Sequence, residues 1–204
     1  MSEVGLDKSE IDTPFLWVDI DALEENIAQL AAYFRECGVN WRPHIKGIKV
    51  PAVAHMFLRA GAIGLTCAKL GEAEVMSAAG VRDMLIANQI VGARKYARLA
   101  NLCRTSDVKV AVDSVATLAG LNAAALAKDV QIELVIEVNT GMDRAGVLPG
   151  SPALTLAKAI ATYPGLRLRG VMTWEGHTLG IEEPIAKQKA ISEAIGHLRA
   201  SADL

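Results

Sequence analysis

Strand-like and helix-like segments alternate through this chain with a regularity that few folds accommodate. The segment "TPFLWVDI" (13–20) reads as a strand, and "DALEENIAQLAAYFREC" (21–37) as an amphipathic helix with Leu23, Ile27, Leu30, Ala31 and Phe34 on one face. Asp21 and Glu24 stand at the spacing of a capping pair. "VNWRPHIK" (39–46) reads as the next strand, followed by a helix opened by Pro51 and closed by Gly61. Short apolar strands are expected at 63–68, 83–88, 108–113, 131–140 and 166–174, each leading into a helical pattern. Ser151 and Pro152 read as a cap and a first-turn proline, and "GIEEPIAKQKAISEAIGHLRA" (180–200) supplies the last helix. The strands are largely apolar without alternation, which predicts parallel strands covered on both faces.

Repeated strand–helix units imply a parallel sheet, built either as an open doubly wound sheet or as a (β/α)8 barrel. A dinucleotide-binding doubly wound sheet wants GxGxxG after its first strand, and the chain has none. Polar residues close nearly every strand: Lys46, then Thr66, Cys67 and Lys69, then Asn88, Asp113, Asn139 to Arg144, and Glu175 with His177. In a barrel all of these ends share one mouth, whereas in an open sheet only those beside the switch point converge. The expected fold is therefore α/β, a (β/α)8 TIM-type barrel. Residues 1–40 would form an N-terminal strand and helix leading into it, and 41–204 a partial barrel. A whole barrel takes about 250 residues, so with 204 residues and seven strand-like segments the barrel reads as incomplete.

Composition narrows the function classes. The chain is 51% hydrophobic and 22% charged with a net charge of −2, and it carries no basic stripe, so nucleic acid is not an expected partner. No apolar run is long enough to span a bilayer, and the opening "MSEVGLDKSEID" is polar and acidic, unlike a signal peptide. Cys37, Cys67 and Cys103 are far apart and odd in number. They suit a reducing cytoplasm rather than a disulfide framework or a thiolate metal site.

Three segments can carry chemistry. In "NWRPHIKGIKVPAVAHM" (40–56), Lys46 ends a strand in apolar surroundings with Arg42 and His44 nearby in sequence. A lysine with a lowered pKa is an amine nucleophile that forms Schiff bases, while an ordinary one snorkels to solvent. In "EVNTGMDRAG" (137–146), Gly141 and Gly146 permit a tight turn that presents Arg144, either to clamp an anionic or phenolate oxygen or to pair with Asp143. In "MTWEGHT" (172–178), Trp174 and His177 can hold a flat heteroaromatic ligand and move a proton, or simply wedge strand against helix. His55 and His197 fall in helical patterns and read as surface or interface residues. HExxH, Walker and GxSxG patterns are absent.

Taken in order, these segments resemble the alanine-racemase-like (fold type III) pyridoxal-phosphate enzymes, N-terminal portion. The nearest branch is that of D-threonine aldolase and D-serine dehydratase. "TPFLWVDIDALEENI" resembles that branch's opening, "RPHIKGIKVPAVA" its cofactor-lysine motif, and "AAGVRDMLIANQIVG", "EVNTGMDRAGV" and "GVMTWEGHT" its barrel segments. The resemblance implies pyridoxal 5'-phosphate carried by Lys46 rather than Lys49, with Arg144 at the ring's phenolic oxygen. His44, Trp174 and His177 would stand at the cofactor, with His177 as a base. It implies a lyase that cleaves D-3-hydroxy amino acids to glycine and an aldehyde, with dehydration or racemisation as the alternative reactions and a non-catalytic cofactor-binding protein or inactive fragment as the alternative of another class. A homodimer and a divalent metal are implied for the full-length form. The phosphate loops and metal ligands of the family lie in later strands and a C-terminal β domain, for which this chain has no counterpart. Trp174 stands where the branch often carries tyrosine, Ala145 where it often carries Cys or Thr, and Glu137 where racemases often keep a lysine.

Overall fold

The computed structural model describes residues 5–204, which form two units, one ending at Asn40 and one running from Trp41 to Leu204. In the first unit the strand expected at 13–20 does not form. Pro14 has no N–H to give a ladder, Leu16 is 94% exposed, and the segment feeds directly into helix α1 (Ile20–Glu36). The cap of α1 is Asp19, whose carboxylate accepts the Ala22 N–H at 3.1 Å, and not the expected Asp21–Glu24 pair. Asp21 instead sits in the first turn, where a negative charge suits the helix dipole.

The second unit contains α2 (Pro51–Arg59), β1 (Leu65–Cys67), α3 (Leu70–Ala78), β2 (Asp83–Gln89), α4 (Ala93–Leu102) and β3 (Asp107–Val112). It continues with α5 (Leu118–Leu126), β4 (Ile132–Glu137), α6 (Ser151–Ala161), β5 (Leu166–Met172) and α7 (Pro184–Ala202). The five strands are all parallel and ordered β1-β2-β3-β4-β5. No reversal of direction occurs among the described strands, so the sheet has no switch point of the doubly wound kind. Right-handed crossovers that always step the same way place the helices on one face, which is barrel wiring.

The strand expected at 39–46 is reduced to a single bridge, His44 to Thr66, beside β1. Its backbone bonds run from Ile63 N to Trp41 O, Thr66 N to Pro43 O and Ile45 N to Thr66 O, at 2.8–2.9 Å. Pro43 interrupts it by removing a donor, which confines such a segment to a sheet edge. At the other end of α2, Pro51 opens the helix, and Gly61 with φ +104 follows its last turn, as expected. Ser151 is the first helical residue of α6 rather than its cap. That position falls to Gly150, whose amide donates to Ser201 Oγ.

Burial alternates along β2 and the early residues of β3 and β4, while β1 is buried throughout and β3 and β4 end in buried runs, so the expectation of two covered faces holds only in part. Met84, Ile86, Val108, Val110, Ile132, Leu134 and Ile136 are buried on the face that α3 to α6 cover. Asp83, Leu85, Lys109, Glu133 and Val135 on the other face are only half-buried, and Arg167 and Arg169 are exposed. Ionic groups therefore occupy the amino-end layer of that face. Asp83 bonds Arg42 and accepts from Lys109 Nζ at 3.1 Å, and Lys109 also reaches Asp107 at 2.6 Å. Gly64 makes this close approach feasible, because a Cβ there would collide with the Arg42 guanidinium and the Asp83 carbonyl. Arg42 is thus a structural tie, four residues from Lys46 along the edge segment and roughly 13 Å away when extended.

Candidate active site

Three chain segments converge beyond the carboxyl ends of the strands. Lys46 follows the edge segment, Arg144 lies in the β4–α6 connection, and Trp174 follows β5. The Trp174 ring is the meeting point: Lys46 Nζ lies 5.3 Å and Arg144 Cζ 4.6 Å from ring centroids. A π-face within about 6 Å of a cation attracts it electrostatically. Lys46 and Arg144 are themselves exposed, so both heads remain open to a ligand. The apolar burial expected for Lys46 is not found, since the residue is exposed with its ammonium over this indole.

Lys49 is turned elsewhere. Its backbone adopts φ +56, and its ammonium lies 3.4 Å from the buried carboxylate of Glu72, which also accepts the Ala68 N–H at 2.7 Å. His44 precedes Lys46, and its Nδ1 accepts the Lys46 backbone N–H at 3.2 Å. Desolvation lowers the His44 pKa from its usual 6.5, and the Lys46 charge lowers it further. Both effects favour the neutral ring that this accepting role requires.

The turn that follows Trp174 is a 3₁₀ segment, Gly176–Gly180, bearing His177. His177 Nδ1 is buried without a hydrogen-bond partner, and buried polar atoms left unpaired are costly and few. Its ring packs against Gly141 so closely that a Cβ at Gly141 would stand 2.8 Å from Nε2. Gly141 is thus required both for space and for its φ of +128.

The Arg144 turn is organised by Asn139 and Gly146. Asn139 Oδ1 accepts the N–H groups of Gly141 and Asp143, each at 3.1 Å, and its Nδ2 donates to Asp143 Oδ1 at 2.9 Å. Asp143 is thereby engaged by Asn139, while Arg144 stacks on Trp174 instead of pairing with it. Sequence reading gave no signal for a second contact: Gln89 Nε2 donates to the buried Glu137 carboxylate at 2.5 Å, joining the ends of β2 and β4. Sheet register brings these two together across β3, and no spacing within either segment announces it.

Cys67 and Cys103 are poor nucleophiles here. Burial pushes the Cys67 and Cys103 thiols up to about 12, with nearby carboxylates adding to the rise. His55 is half-buried and bonds the Ala79 carbonyl through Nε2 at 2.8 Å, while His197 is exposed. Among the described residues no three His, Cys, Asp or Glu side chains gather to hold a metal, and no helix is long and apolar enough to cross a membrane.

A one-directional parallel sheet whose strand ends bring an amine and a guanidinium to one indole defines a barrel-type α/β fold. The chain belongs to the family described as alanine racemase, N-terminal domain, whose model matches residues 18–203. It is 36% identical to a D-threonine aldolase from Filomicrobium marinum of known structure, with a TM-score of 0.92 over 95% of this chain and 53% of that one. The D-threo-3-hydroxyaspartate dehydratase of Delftia sp. HT23 is 32% identical with a TM-score of 0.80, over 94% of this chain and 52% of the other. The 3-hydroxy-D-aspartate aldolase of Paracoccus denitrificans (strain Pd 1222) is 35% identical over 96% of this chain. The chain spans about half the length of the curated relatives it matches, 53% in this last case.

Proposed function

We propose that this chain holds pyridoxal 5'-phosphate at Lys46 and serves a lyase that cleaves D-3-hydroxy amino acids to glycine and an aldehyde. The observation that carries the reading is the convergence of Lys46 and Arg144 on the Trp174 ring, beside a turn whose His177 Nδ1 is buried and unpartnered. That donor set fits the cofactor: a primary amine for its aldehyde, a cationic fork for its phenolic oxygen, and an aromatic plane for its ring. The printed names of the aldolase and dehydratase relatives support the substrate class.

Bound pyridoxal phosphate supplies an electron sink for the pair released at the substrate's Cα. The protein's own part is positional and acid–base. Lys46 anchors the ligand through its amine, whereas the Lys49 ammonium faces Glu72 instead. Arg144 fixes the ligand's orientation against Trp174. His177, on the turn that follows Trp174, serves as the base for the substrate's β-hydroxyl. His44, held neutral, braces the Lys46 backbone without adding charge.

Dehydration is the second reading, favoured by the likeness to the Delftia enzyme, and it differs only in which bond breaks. The same proposal includes a homodimer and a cytoplasmic setting. The test adds cofactor and D-threonine or D-3-hydroxyaspartate and quantifies glycine, aldehyde and keto acid. Glycine with aldehyde supports cleavage, and keto acid without glycine overturns it in favour of dehydration.

A further inference from the structure

The turn that presents Arg144 is closed by its own bonds and also tied to neighbouring strand ends. Its internal bonds close a loop on itself: Val147 N donates to the Glu137 carbonyl at 3.0 Å, Asn139 N to the Val147 carbonyl at 2.8 Å, and Asn139 caps Gly141 and Asp143. Two side-chain hydrogen bonds also fasten that loop to its neighbours. On one side Thr140 Oγ1 and Thr173 Oγ1 share a hydrogen bond of 2.7 Å, and Thr173 is the residue before Trp174. On the other side the carboxylate of Asp113, one residue past the end of β3, accepts the Gly146 N–H at 3.1 Å.

Gly146 lies two residues beyond Arg144, has φ +100, and leaves no room for a side chain, since a Cβ would stand 2.7 Å from Asn139 N. Its amide can therefore face only a narrow range of directions, and an acceptor on the adjacent strand end meets it there. A carboxylate accepting a backbone N–H is among the stronger hydrogen bonds available to a loop. No barrel-mouth chemistry is needed to explain Asp113: it is half-buried and aims at the loop.

We infer that Asp113 is a positioning residue that sets Arg144 over the Trp174 ring by holding the Gly146 amide. The significance of that placement for cofactor rests on the site reading above, but the placement itself does not. A guanidinium shifted by about 1 Å loses much of its orienting value.

The experiment compares Asp113→Ala, Asp113→Asn and Arg144→Ala by two-dimensional NMR of the cofactor-free chain, followed by titration with pyridoxal phosphate. Asp113→Ala should move the Trp174 indole N–H resonance in the same direction as Arg144→Ala and speed amide exchange across 141–147. The β3 and β4 amides should stay unchanged, reporting an intact fold. Asp113→Asn keeps an acceptor oxygen and should leave both signals near wild type. Cofactor affinity should fall about tenfold in Asp113→Ala, the loss of one charge-assisted bond, and under about twofold in Asp113→Asn. An unmoved indole signal with unchanged exchange in Asp113→Ala overturns the inference, as does Asp113→Asn behaving like Asp113→Ala. If Arg144→Ala leaves cofactor affinity unchanged, the cofactor reading of the site fails, while the NMR comparison still decides the role of Asp113.

Discussion

Replacing Asp83 with Ala removes the acceptor at the centre of the ionic layer beneath the site. Asp83 bonds Arg42, whose side chain is 18% exposed, and Lys109, which is 12% exposed, while Asp83 itself is 32% exposed. Lys109 keeps Asp107 at 2.6 Å, so the cation left without an acid is Arg42. A buried hydrogen bond to a charged group is worth about 1.5–3 kcal/mol, and partial exposure of Asp83 discounts the second of its two bonds. The expected loss is therefore about 2.5 kcal/mol. In a domain of this size that lowers the melting temperature by about 5–10 °C.

The pH dependence gives a second handle on the same residue. Burial pushes the Asp83 carboxyl up, but hydrogen bonds and charge from Arg42 and Lys109 pull it down by more, leaving it below the free value of 3.8. A depressed acid contributes stability that is complete above its unfolded pKa and is lost as pH falls through the folded one. The gap between wild type and Asp83→Ala should then be constant above about pH 5 and shrink on acidification below 3.8. Melts followed by circular dichroism across that range measure it. A difference under about 1 °C at pH 7, or one that persists unchanged in acid, would refute the assignment of Asp83 as the clamp on Arg42 and Lys109.

Two further outcomes follow from local geometry. With Ellman's reagent at pH 8, the exposed Cys37 should react in the folded protein while the buried Cys67 and half-buried Cys103, pushed up to about 12, wait for denaturant; comparable rates for a second thiol would contradict that shielding. Gly141→Ala should cost about 1–3 kcal/mol by thermal melting, because the residue needs φ +128 and the new Cβ meets the His177 imidazole, and an unaltered melt would show that the contact yields freely.

The alternation of segments was enough to call for a parallel α/β sheet, and polar strand ends favoured the barrel wiring that the strand order shows. Lys46, Arg144 and Trp174 were each legible as strand-end residues, and they do meet at one ring. Other features depended on partners distant in sequence. The apolar run at 15–18 looks like a strand, yet among the described residues no strand pairs with it, and α1 begins sooner, at Ile20. Arg42 seemed a companion of Lys46 because the two share a short motif, but strand rise carries it to the opposite layer, where Asp83 waits. Alternating burial was hidden because Leu85 and Val135 are apolar on the half-buried face as well. The Asp113–Gly146 and Gln89–Glu137 bonds arise only from register between strands, which a single chain segment does not encode.

The central claim is that Lys46, not its neighbour Lys49, carries the cofactor. Incubation with pyridoxal phosphate, borohydride reduction and peptide mapping by mass spectrometry test it directly. The modified peptide should carry the pyridoxyl group on Lys46, and Lys46→Ala should remove both the label and the visible absorbance band. A label on Lys49 or Lys69 in place of Lys46, or no label at saturating cofactor, would contradict the account.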